Sequence, residues 1–302
     1  MTDNICALNK NQNTCLPDNS IKVIGSHFID KVDNLSKEEI IDKLSENDNK
    51  CKSEKDLKKK ELCILESIKN DNNNDNLKKN INKHIINYFK PISKKLDKNY
   101  WINNTEIDNI QHQLLLNFPN YYYTCIHMID LKMFKPQSIN LFNEGKYIKS
   151  ITDIDFPNEL INKTTLNYNG ELKYFGMVCN TDSSSGSGIH WFSIFIDFTL
   201  NPIQIEYFNS SGYDIKNNYD GKEFKKFFLN LADDISIKYK PCKFVKVTDI
   251  EHQRSDTANC GSYSLYYIWK RLNRTSSDYF ANNQIIDEDM ESFRKFLWRT
   301  HK

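Results

Sequence analysis

Cys260 is followed by Gly261, and Ser264, Leu265, Ile268, Trp269 and Leu272 then recur at spacings of three and four, which predicts a helix starting at the thiol. A helix N-terminus offers partial positive charge and unpaired N–H groups, and both favour thiolate, the nucleophilic form. Asp256, Thr257, Ala258 and Asn259 supply turn and cap chemistry just before it. Taken alone, Cys260 still reads first as a buried structural cysteine. His190 precedes an apolar run and follows the loop from Asp182 to Gly188, so it is placed to meet a substrate or simply to pack. That loop has no Gly-Lys-Ser/Thr ending and no helix after it, which argues against a phosphate cradle. Asn209 stands nineteen residues after His190, enough for a strand, a turn and a return strand. An amide oxygen there could accept the imidazole N–H and fix its tautomer. Glu206 is the rival orienter, but three residues earlier on a period-two strand it faces the other way. Gln253, seven residues before Cys260, could donate to an oxyanion or be an ordinary loop residue.

These residues need elements to hold them. Residues 174–179, 190–198, 203–208 and 243–247 read as strands, the second apolar enough to be central. Phe224, Phe227, Phe228 and Leu231 have helix spacing, and a last helix starts near Asp287, with Met290, Phe293 and Leu297 on one face. Strands grouped between helices predict an α+β domain over 97–302. Residues 1–96 differ: a helical, charged arm with a capping box at Ser36–Glu39 and a second basic helix ending before Pro91. The Asn-rich tract near 70–80 reads as a solvated linker.

The chain has 302 residues, 41 basic and 40 acidic, so bulk charge does not hold it to nucleic acid; the Lys-rich first third leaves a weaker contact there open. No apolar run reaches the roughly 20 residues of a membrane span. No secretory signal is visible. The eight cysteines are scattered without a C-x-x-C pair, which argues against a metal site and predicts free thiols in a reducing compartment.

The order His190-Trp191, then Asn209, then Gln253, then Cys260-Gly261 resembles the adenain and SUMO-protease-like cysteine proteases, and within them the maturation proteases of large DNA viruses. The seven-residue step from Gln253 to Cys260 is the adenain spacing. Segments 174–210 and 247–298 carry most of the resemblance. It implies a papain-like/SUMO-protease-like fold, a central mixed sheet flanked by helices with the nucleophile at a helix N-terminus. It implies Cys260 as nucleophile, His190 as base, Asn209 as its orienter and Gln253 as oxyanion donor, with no metal or cofactor. Trp101, in a Trp-Ile-Asn-Asn segment, and Trp191 would flank a tunnel that admits only Gly-Gly, with Gly188 nearby at the substrate. The implied activity is cleavage of viral polyproteins after Gly-Gly during virion maturation, in virion and host cytoplasm. A ubiquitin-like protein is a further implied partner. Isopeptidases and acetyltransferase effectors share this order of residues, and a decayed binding module remains an alternative.

Overall fold

Four helix starts in the first part of the chain are set by side chains that accept orphan amides. In a computed structural model, which describes residues 6–7, 14–46, 48–118, 120–124, 126–131 and 173–300, the chain forms two units, residues 1–92 with 297–302 and residues 93–296. The first unit is helical: α1 Asp18–Gly25, α2 Lys37–Ser45, α3 Asn49–Lys52, α4 Leu57–Asp71 and α5 Asp75–Tyr88. At α2 the Glu39 N–H donates to Ser36 Oγ at 3.2 Å, and Glu39 Oε2 accepts the Ser36 N–H at 2.7 Å. Asp56 and Asn74 accept two amides each at the starts of α4 and α5. Leu16, Ile21, Ile24, Ile40, Ile41, Leu65 and Ile81 bury their side chains in a shared core.

Two expectations are corrected here. The Asn-rich tract is a tight connection: α4 runs through Asp71, and Asn74 caps α5 by accepting the Asn76 and Leu77 amides. Low complexity hid residues that are good caps as well as good linkers. Four of the eight cysteines are not free. Cys6 pairs with Cys15 and Cys51 with Cys63. Folding brings the partners together over separations of 9 and 12 residues, which fit none of the spacing patterns that identify a pair in advance.

The second unit is built on a six-stranded mixed sheet. Its strands are β1 Tyr121–Tyr123, β2 His127–Met128, β3 Tyr174–Asn180, β4 Trp191–Asp197, β5 Ile203–Phe208 and β6 Cys242–Lys246. The order is β1-β3-β4-β5-β6, with β2 also paired to β3. The central pairs β3/β4 and β4/β5 are antiparallel; β1/β3, β2/β3 and β5/β6 are parallel. Period-two alternation splits the sheet into two faces. Phe192, Ile194 and Ile196 join Ile203, Ile205 and Tyr207 against Phe224, Phe228 and Leu231 of α7, Tyr219–Lys238. The opposite face meets α8, Cys260–Leu272, where Phe208 stacks on Tyr267 with centroids 4.4 Å apart. On that face Arg271 spans both oxygens of Glu206 at 2.8 Å and reaches Asp197 at 3.1 Å. α6 Asn104–Asn117, α9 Ser277–Asn282 and α10 Asp287–Leu297 complete the unit. Among the described residues no helix is long and apolar enough to cross a membrane.

Candidate active site

β4 and β5 form an antiparallel hairpin in which Ser193 opposes Phe208, so His190, just before β4, and Asn209, just after β5, come out at the same end of the sheet. His190 Nε2 and Asn209 Oδ1 lie 2.7 Å apart. The direction of that bond is fixed by the other partners of the amide. Asn209 Oδ1 also accepts the Ser211 backbone N–H at 3.0 Å, and Asn209 Nδ2 donates to the Tyr213 carbonyl at 3.3 Å. Neither bond survives an amide flip. Nε2 therefore carries the proton, and Nδ1 of the neutral ring is left as the basic nitrogen. Burial lowers the His190 pKa, the Asn209 bond opposes that, and nearby Lys216 adds to the lowering. Glu206 sits on the opposite face, held by Tyr267 and Arg271.

Cys260 is the first residue of α8 and is buried. Its sulfur accepts backbone N–H groups, foremost that of Trp191, the residue after His190. Among the described contacts the imidazole bonds Asn209 and not the thiol. Burial outweighs the helix terminus here: it pushes the Cys260 thiol up to about 11, although the Trp191 and Gly261 amides pull the other way. The pull of the helix start towards thiolate is thus the weaker influence, because removing the sulfur from water costs the charged form more than the amides return.

Asn209 is followed by Ser210, and this pair serves two residues. Ser210 Oγ donates to Gln253 Oε1 at 2.9 Å, and its carbonyl accepts the Gln253 backbone N–H at 3.0 Å. Gln253 Nε2 donates one hydrogen to the Thr257 carbonyl at 2.8 Å, which leaves its second hydrogen unassigned.

The loop between Gln253 and Cys260 is held by α10, a feature that sequence spacing did not disclose. The buried Asp287 carboxylate, at the first residue of α10, accepts the Arg254 backbone N–H at 3.0 Å, the Thr257 hydroxyl at 2.8 Å and Asn259 Nδ2 at 2.8 Å. Two turns later on the same face, Arg294 Nε donates to Asn259 Oδ1 at 3.0 Å and Arg294 Nη2 to the Ala258 carbonyl at 2.9 Å. Asn259 is the N-cap residue of α8, yet its side chain makes no cap bond. Both ends of its amide are taken by α10, so its side chain caps none of the first α8 amides, and the Gly261 amide faces the Cys260 sulfur instead. The only sequence signal was that Asp287 and Arg294 lie inside the resembling segment.

Of the remaining candidates, Trp191 is buried, with its indole N–H on the Ile102 carbonyl at 3.2 Å and its ring against Gly261. Trp101 is 44% exposed. Gly188 adopts φ +93° and donates to Asp182 Oδ2 at 3.0 Å, two residues before His190. That conformation lies in the region that favours glycine. Asn180 Oδ1 accepts the Ile189 N–H at 2.9 Å and so ties the same approach to His190.

No family model matches the chain. Over 125 residues it is 42% identical to a SUMO-1 cysteine protease of African swine fever virus, isolate Warthog/Namibia, covering 41% of this chain and 44% of that protein. The protein of the same name from a Pig/Kenya isolate is 41% identical over the same length and shares. The alignment thus spans less than half the length of the curated relatives it matches. A crystal structure of an African swine fever virus protease has the same fold, at a TM-score of 0.66 and 22% identity, covering 99% of this chain and 97% of that one. The resemblance read from the ordered residues holds in sequence and in fold, with a mixed sheet between helices in both.

Proposed function

We propose that the chain is a viral cysteine endopeptidase that cleaves polyproteins after Gly-Gly during virion maturation, acting in the virion and the host cytoplasm. The observation that carries this reading is the juxtaposition of an Asn-oriented imidazole with a thiol at a helix N-terminus, Cys260 taking the N–H of the residue next to His190. The cysteine-protease naming of its viral relatives supports the same class of chemistry.

In the proposed reaction, His190 Nδ1 takes the Cys260 proton as the sulfur attacks the carbonyl after the second Gly. The carbonyl π pair moves onto oxygen. The free N–H of Gln253 and the uncapped amides of α8 meet that charge. On collapse the C–N bond breaks, and His190 delivers its proton to the leaving amine. Water, deprotonated by the same nitrogen, then releases the acyl group and restores the thiol. Asn209 stabilises the imidazolium less than a carboxylate would, because it orients without charge. Trp101, Trp191 and Gly188 line the approach of the Gly-Gly backbone.

The test is hydrolysis of Gly-Gly-X peptides. Wild type should cleave them and Cys260→Ala should not; equal rates in the two would sink the assignment. A ubiquitin-like adduct cleaved faster than any linear peptide would shift the substrate from polyprotein to conjugate.

A further inference from the structure

A cavity of about 340 Å³ opens beside His190. Ile129, Phe192, Tyr207 and Ile215 form its walls, and Ile189 and Tyr213, 52% and 71% exposed, form its rim. His190 and Asn209 also line it, whereas Gln253 and Cys260 do not. Phe192 and Tyr207 place it on the α7 face of the sheet, across from Trp191 and α8.

We propose that this cavity is the subsite for the residue that follows the scissile bond, and that it takes a large apolar side chain and rejects lysine and arginine. The inference rests on the protease reading and deepens it. The acid that protonates a leaving amine must sit on the leaving side of the carbonyl, and the groups that hold the oxyanion must sit elsewhere. His190 lines the cavity and the oxyanion donors do not, so the departing segment enters it. At 340 Å³ it lies at the small end of ligand pockets and suits a single large side chain. Its walls are mainly apolar, and the polar groups among them, Thr181, Asn209 and Ser211, are uncharged. Its acid, Asp214, is already ion-paired with Lys225 at 3.3 Å. Lys216, exposed at the lining, has no ion pair among the described residues, and its charge already bears on His190. A cationic leaving residue would meet that charge and lose its hydration. An apolar one would gain from burial.

The test uses the whole chain and Gly-Gly-X peptides with X as Leu, Phe, Ala, Asp or Lys. Wild type should cleave the Leu and Phe peptides with kcat/KM about 10- to 100-fold above the Lys peptide, the range a hydrophobic pocket delivers. Lys216→Glu should narrow the penalty on Lys several-fold. Ile189→Asp, a change at an exposed position, should narrow the preference for Leu and Phe. Uniform wild-type rates across X, or ratios unmoved by both variants, would overturn the subsite while leaving the protease reading intact. Failure of wild type to cleave any of the peptides would overturn both.

Discussion

In the proposed reaction His190 and Cys260 start as two neutral groups. Burial lowers the imidazole pKa and pushes the thiol up to about 11, so neither holds its charge near neutrality. In that reaction the proton leaves the thiol as the sulfur attacks the substrate carbonyl, not before. That state has a distinct signature towards a small electrophile. Thiolate is the reactive form, and its fraction rises tenfold per pH unit below the pKa. Alkylation of Cys260 by iodoacetamide should climb steadily from pH 6 to pH 10. A resting ion pair would give a plateau over that range, because the thiolate would already be complete at low pH. His190→Ala should leave the climb in place, since the imidazole does not set the resting state. The measurement is the labelling rate of this one residue, read by peptide mass against Cys179 and Cys242 as internal controls.

Helix α10 sets the local geometry that these groups need. Asp287 gathers three donors from residues 254–259, and the partial positive charge of its own helix start supports the carboxylate. Asp287→Asn keeps the shape but replaces one acceptor oxygen with a donor. The loop then loses its hold on either Arg254 or Asn259, and in the proposed reaction the α8 amides shift from the oxyanion. We expect kcat to fall about 10- to 100-fold with KM little changed, less than the roughly 100- to 1000-fold cost of removing an oxyanion donor outright. A purely structural role would instead lower the melting temperature and leave kcat per folded enzyme alone. Elements of this kind divide what the sequence discloses from what it does not. The strand over Ile203–Phe208 and the helix from Cys260 were legible because burial imposes periods of two and 3.6 on consecutive residues. The hairpin followed from the spacing of His190 and Asn209. The bonds from Asp287 to Asn259 and from Arg294 to Ala258 were not, because a polar side chain on a helix face carries no mark of which distant loop it will meet. The burial that raises the thiol was hidden too, since it comes from residues scattered through the chain, not from the segment that holds Cys260.

At the scale of the molecule, the first unit has its own chemistry. Its two disulfides close loops of 9 and 12 residues, each worth about 3 kcal/mol of chain entropy on the loop-closure account. Glu61 lies beside one of them, accepting the Cys15 N–H at 2.6 Å and the Leu16 N–H at 3.2 Å. Lys37 donates to the Leu16 carbonyl and pairs with Asp18 at 3.4 Å. Burial is the largest influence on Glu61 and pushes its carboxyl up to about 7, against the pull of the two amides and Lys37. The direction of the linkage follows from that shift. The folded unit binds this proton more tightly than the unfolded chain, whose carboxyl titrates near 4.5. The associated stability is present in full below pH 4.5 and is lost as pH rises through 7, by about 3 kcal/mol over the window. Calorimetry between pH 5 and pH 8 should show the first unit losing stability as pH rises. Glu61→Gln should flatten that slope, because an uncharged amide has no proton to lose. A Glu61→Gln unit that keeps the full wild-type slope would show that another group carries it. Reduction of both disulfides should lower the same transition at every pH without changing its slope, because chain entropy does not titrate and Glu61 does.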